Sequence, residues 1–171
     1  NASKLTPFLT NGDDALITEF PFLVSIQHGT IHICAGNLLN EKWILSSVRC
    51  FLNRPMNQLS IEYGSTEITP GFNQPQKPGI SQIIFHESFG VPTNLANDIS
   101  LIESDSPIVT GLHQPFAKLA ISGGSNFISG TAAVHTGWGR IQEDIRTDKL
   151  QKANLNILSF DECVEAVEDR K

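Results

Sequence analysis

Short apolar-rich runs alternate with turn residues over most of the chain. β-branched, aromatic and aliphatic side chains concentrate at 22–27, 31–34, 43–46, 59–63, 82–86 and 99–103. Between these runs stand Gly29, Asn40, Pro55, Gly64, Pro70-Gly71, Pro78-Gly79 and Pro92. Runs of this length, bounded by residues that reverse the chain, predict strands in an antiparallel barrel or sandwich. Nothing before residue 158 sustains a helical period. One short helix is predicted over 160–167, with Ser159 as N-cap and Asp161 and Glu162 in its first turn, where acidic groups favour a helix start. Residues 104–126 hold Pro107, Gly111, Pro115 and Gly123-Gly124 and read as a connector between two lobes.

Composition narrows the class. The chain has 171 residues, 40% hydrophobic and 18% charged, which is enough for one folded domain and argues against disorder. A net charge of −6 leaves no basic stripe for phosphates, so nucleic acid is not an expected partner. No apolar run approaches the roughly eighteen residues of a membrane span. Asn1 is not an initiating methionine, so a mature secreted chain with its signal removed is expected.

Candidate chemistry is sparse by pattern alone. The five histidines show no ligand-like spacing, and no metal or other cofactor is expected. Ser122-Gly123-Gly124-Ser125 and Ser104-Asp105-Ser106-Pro107 read as turns, and Trp43 and Trp138 as core or interface aromatics. Asn1-Ala2-Ser3 is the one glycosylation sequon, which makes Asn1 a candidate acceptor. Cys34, Cys50 and Cys163 make an odd cysteine count.

Several motifs then occur in a familiar order. Asn11-Gly12 is followed by Glu19-Phe20-Pro21-Phe22, Cys34-Ala35-Gly36-Asn37-Leu38-Leu39 and Trp43-Ile44-Leu45-Ser46-Ser47-Val48-Arg49-Cys50. Asn97-Asp98-Ile99-Ser100-Leu101-Ile102, Gly137-Trp138-Gly139 and Leu150-Gln151 with Cys163 complete the series. Together they resemble the chymotrypsin/trypsin family of serine proteases over nearly the whole chain. The resemblance implies an all-β, trypsin-like double barrel, the first barrel complete and the second only begun. It assigns 1–8 to an N-terminal extension and 9–112 to the first barrel and the start of the connector. Residues 113–171 would hold the connector, the opening strands of the second barrel (around 132–137 and 152–158) and the helix. It also implies a Cys34–Cys50 disulfide, worth roughly 3 kcal/mol for a loop of about fifteen residues, and hence an oxidising, extracellular compartment.

Arg49 departs from the pattern. The resemblance places the general-base histidine there, whereas a guanidinium stays protonated and offers donors but no acceptor. No Gly-Asp-Ser-Gly-Gly segment occurs, and residues 7–12 run on without a basic cleavage site of the usual kind. The expectation is a degenerate, non-enzymatic protease homologue. Asp98, which would have oriented the histidine, is expected to pair with Arg49 and neutralise a charge that is costly to bury. The alternative is that Arg49 swings to solvent and Asp98 accepts only backbone hydrogen bonds.

A begun second barrel would leave apolar faces and strand edges open, which folded proteins avoid. A second polypeptide, cut from the same precursor after Arg170-Lys171 and disulfide-linked through Cys163, is expected to supply the rest. The leading function is protein–protein binding through loops at 51–58, 68–79 and 89–94. The chain would act as a cofactor, competitor or regulator in a proteolytic cascade (clotting, complement, innate immunity), or as an effector on a surface protein. Such a contact would bury about 1,600 Å². The alternative is a serine endopeptidase or other hydrolase, active once joined to the missing chain; an inert storage or shape role is not separable by sequence.

Overall fold

The computed structural model describes residues 12–68, 77–113, 115–120, 128–141 and 145–168. Among them nine strands form: β1 (Asp13–Asp14), β2 (Leu23–His28), β3 (Ile31–Leu38), β4 (Trp43–Ser46), β5 (Leu59–Tyr63), β6 (Ile80–Phe85), β7 (Ser100–Ser104), β8 (Ala132–Arg140) and β9 (Arg146–Asn156). A single α-helix among the described residues, α1 (Phe160–Glu168), follows.

Six strands form one sheet in the order β5-β2-β3-β4-β7-β6. Its two outer strands meet at a Ser60–Gly79 bridge, and the Ile61 N–H donates to the Pro78 carbonyl at 2.9 Å, so the sheet curls onto itself. Inside lie Val24, Ile26, Leu38, Ile44, Phe51, Leu59, Ile61, Ile102 and Ile108, all buried. The alternation of strands puts Val24 and Ile26 on this inner face. The opposite face of β2 is buried as well, because Leu23 packs with the second cluster. Being covered on both sides, β2 buries polar Ser25 and Gln27 along with its apolar residues.

Local chemistry sets the turns. Gly29, at φ +62°, reverses the chain between β2 and β3. The Asn40 carboxamide oxygen accepts the Lys42 and Trp43 N–H groups at 2.9 and 3.0 Å and so opens β4. At Gly36 a methyl group would stand 2.5 Å from Ile44 Cγ2, so β3 and β4 approach as they do only because this residue has no side chain.

A second, three-stranded sheet has the order β1-β9-β8. Its core is Ala15, Ile17, Leu23, Ile68, Trp138 and Leu150. The Trp138 indole N–H donates to the Thr66 carbonyl at 3.0 Å, and Thr66 Oγ1 accepts the Ile17 N–H at 3.1 Å. Asp13–Asp14 pairs with β9, so the opening residues of the range 9–112 join the smaller sheet and not the first barrel. Two adjacent acidic residues carry little strand propensity; the pairing follows from the Lys149 ammonium and Gln151 amide on β9, which reach Asp14 at 2.5 and 2.8 Å.

The helix starts on a reciprocal cap. Ser159 Oγ accepts the Glu162 N–H at 3.2 Å, and the Glu162 carboxylate accepts the Ser159 N–H at 2.7 Å. Hydrogen bonds from the Ser159 main chain and from the Ser159 and Ser129 hydroxyls hold the Glu162 carboxyl below its ordinary value. The fold is that of a trypsin-like β-barrel, with the first barrel closed and the second begun by β8 and β9.

Candidate functional site

Arg49 sits in a 3₁₀ turn, Val48–Cys50, directly after β4. Val48 and Cys50 are buried, and Cys50 is bonded to Cys34 on β3, with 6.1 Å between their Cα atoms. A turn pinned on both sides by buried neighbours directs its middle residue outward. The Arg49 side chain is accordingly 63% exposed.

Asp98 approaches from the segment before β7. Asn97 holds that segment from a left-handed conformation, φ 56°, its carboxamide donating to the Ser88 and Val91 carbonyls at 3.0 and 2.9 Å. The carboxylate gathers its donors from the turn 47–49. Oδ2 takes the Arg49 Nε–H at 2.9 Å and the Ser47 hydroxyl, and Oδ1 takes the Arg49 backbone N–H at 3.0 Å. Burial alone would raise the Asp98 carboxyl. The Ser47 hydroxyl, the Arg49 N–H, the Arg49 charge and the Val48 N–H outweigh that and lower it.

The pair is therefore made, but not for the reason the sequence suggests. Arg49 is not a buried charge seeking neutralisation; it stands in solvent while Asp98, 14% exposed, is the group withdrawn from water. An ion pair with one partner this exposed contributes little by itself. The backbone and hydroxyl donors hold Asp98, and Arg49 closes over it. Such a site offers donors and positive charge and has no proton acceptor at position 49.

No histidine is paired with Asp98 in its place. His28 bonds the Gln58 carboxamide oxygen at 2.7 Å, and His86 Nδ1 accepts the Ser88 N–H at 3.1 Å. His32 Nδ1 lies 2.8 Å from Ser25 Oγ, with its ring edge-on to Trp138. No group of three or more potential metal ligands occurs among the described residues. Cys163 is an exposed free thiol on α1. Asn1, Ser122-Gly123-Gly124-Ser125 and Arg170-Lys171 lie outside the described residues, as do 69–76 of the candidate loop 68–79. Of the other two loops, 51–58 begins at buried Phe51, and 89–94 is partly to fully exposed.

Ser47 and the His32–Trp138 contact were not among the candidates from sequence. Ser47 had a signal, its position two residues before Arg49 in the same motif. The other contact joins residues far apart in the chain and had none.

His32 carries a pH prediction. Burial pushes its imidazole down to about 4; a hydrogen bond to the Trp138 main chain opposes this, the Arg146 charge adds to it and Asp148 opposes it. The folded value lies below the ordinary 6.5, so the neutral ring's contribution is full above pH 6.5 and is lost as pH falls toward 4. The loss should be on the order of 2 kcal/mol across that window, discounting for the partly exposed ring. Urea unfolding at pH 7 and pH 4 checks it. A His32→Gln variant should lose less stability over the same interval; parallel losses in the two proteins would assign the acid sensitivity elsewhere.

The comparisons with known proteins agree with the fold. The sequence model of the trypsin family matches residues 9–171. Rat (Rattus norvegicus) transmembrane protease serine 9 is 29% identical over 91% of this chain and 15% of its own length. Mouse (Mus musculus) ovochymase-2 is 30% identical over 95% of this chain and 27% of its own length. Guinea-pig (Cavia porcellus) coagulation factor IX is 29% identical over 81% of this chain and 49% of its own length. The chain thus spans less than half the length of each of these relatives. No helix among the described residues is long and apolar enough to cross a membrane. With a family match from residue 9 to residue 171 and a barrel closed in the family's manner, the chain belongs to the trypsin-like serine protease family.

Proposed function

We propose that this chain is a non-catalytic member of its family that works by binding another protein outside the cell. The observation that carries the reading is Arg49 closed over Asp98 at the place the resemblance assigns to the general base. A nucleophile without a proton acceptor gains little from the rest of the site, whatever lies beyond residue 171. Loss of one member of such a triad lowers kcat by up to roughly 10⁶. The Cys34–Cys50 disulfide supports an oxidising compartment. A role in a proteolytic cascade, as cofactor or competitor, fits a family that includes a coagulation factor.

We further propose that additional polypeptide covers the second sheet and joins through Cys163. Val134, Leu155 and Leu158 are exposed on or just beyond β8 and β9, and Phe160, beside the free thiol, is 81% exposed. Val134 and Leu155 lie on opposite faces of the β8–β9 pair, so both of its faces carry exposed apolar groups for another segment to cover.

The test uses protein isolated from its natural source. A fluorophosphonate serine-hydrolase probe should give no stoichiometric labelling, and peptide substrates of trypsin-like enzymes should not be cleaved. Stoichiometric labelling with turnover would overturn the non-catalytic reading in favour of a serine endopeptidase. Non-reducing mass analysis should find Cys163 in a disulfide; a single 18.7 kDa species with a free thiol would remove the second-polypeptide proposal.

A further inference from the structure

A cavity of about 540 Å³ lies between the segment leading into β2 and the connector that follows β7. Pro21, Phe22, Leu112 and Phe116 form its apolar walls, and His113 and Lys118 stand among them. Its lining shares no residue with the Arg49–Asp98 site. We propose that this cavity binds a small amphiphilic carboxylic acid, its ring or chain between Phe22 and Phe116 and its carboxylate on the Lys118 ammonium and the His113 imidazole.

The walls are fixed before any ligand arrives. Leu38, fully buried on β3, ties one to the other. Its N–H donates to the Phe22 carbonyl at 2.8 Å, and its carbonyl accepts the Ala117 N–H at 2.7 Å. Phe116 and Lys118, on either side of Ala117, both line the cavity. Leu112 packs against the second core cluster, and the Phe22 ring meets Phe20 edge-on at 6.5 Å. Preformed apolar cavities of this size enclose small ligands, and fixed walls lower the ordering cost of binding.

Charge selects the ligand. Neither the Lys118 nor the His113 side chain has a partner among the described residues. The undescribed stretches beside them, Gln114 and 121–127, contain no acidic residue. Glu19 is the one acidic group in the lining, and it is already engaged. Its Oε1 accepts the Leu16 N–H at 2.9 Å and its Oε2 the Lys152 ammonium at 2.5 Å. An unpaired ammonium beside two aromatic rings matches an apolar body that carries a single carboxylate. A polyanion is opposed by Glu19 at the wall and by the protein's net charge of −6.

The test uses the full chain, together with any polypeptide joined to it. The probes are phenylbutyrate, its neutral amide, and the peptide acetyl-Gly-Phe, whose carboxylate is a chain terminus. Saturation-transfer NMR and calorimetric titration measure their binding.

Phenylbutyrate should bind saturably and receive saturation at its ring protons. The amide, and phenylbutyrate on Lys118→Gln or Phe116→Ala, should bind about tenfold more weakly or worse. Lys118→Arg should keep most of the affinity. Lys42→Gln, which removes the same charge from an exposed lysine outside the lining, should leave it unchanged. Thermal melts confirm that each variant is folded; Phe116 and Lys118 are exposed, so their replacement leaves the core intact. Absence of saturable binding, equal binding of acid and amide, or unchanged affinity in folded Lys118→Gln or Phe116→Ala would each overturn the proposal. So would an equal loss in Lys42→Gln, or binding of acetyl-Gly-Phe in place of phenylbutyrate.

Discussion

Lys77→Met is expected to destabilise the protein by about 3 kcal/mol. The Glu62 side chain on β5 is only 2% exposed, and Lys77, just before β6, lies 2.9 Å from its carboxylate. Gln27 on β2 completes the group, its amide donating to Glu62 at 2.5 Å and its carbonyl accepting from Lys77 at 2.7 Å. These residues sit at the seam where β5 and β6 close the barrel. Removing the ammonium leaves a buried carboxylate with one neutral partner, and the cost is that of an uncompensated charge, not that of a lost contact. The double replacement Glu62→Met with Lys77→Met removes both charges and should recover most of the loss. Urea denaturation of the three variants decides the matter. A single-variant loss below about 1 kcal/mol would mean that water reaches the site and satisfies Glu62.

The second large effect belongs to the disulfide. The bond spans 16 residues, and the Cys34→Ala, Cys50→Ala pair should cost about 3 kcal/mol, chiefly by freeing the unfolded chain. For a domain of this size that corresponds to a fall in Tm of roughly 6–12 °C. Reduction of the native protein should give a similar shift in a calorimetric scan. The same bond anchors the turn that carries Arg49, so the ordering of Asp98 should loosen with it. A Tm change under about 3 °C would show that packing of Val48 and Phe51 alone holds the turn.

The strand segments were readable because side-chain alternation is a local property. The runs at 43–46 and 59–63 coincide with β4 and β5, and Ser159 with Glu162 announced the helix start. β3 extends through Leu38, beyond the run at 31–34, because Ala35-Gly36-Asn37 carries none of the β-branched or aromatic side chains that mark a strand by pattern. Only the approach of Ile44 explains a glycine there. Asp13–Asp14 as a strand was not legible at all, since its partners lie more than 130 residues away.

The site divides in the same way. The motif order along the chain determined the family, the identities at positions 49 and 98, and the absence of a proton acceptor where one was expected. Those are statements about which residue stands where, and the side chain's own chemistry completes them. Which member of the pair is buried, and what holds it, was decided by the tertiary structure. A turn fixed between buried Val48 and disulfide-bonded Cys50 sends Arg49 into solvent, while Ser47 and Arg49 of that turn donate to Asp98, which the chain brings in from the segment before β7. The Lys77–Glu62–Gln27 seam is likewise a product of register and closure. Burial, register and long-range charge pairing depend on where the chain returns in space, and one-dimensional patterning carries no measure of that.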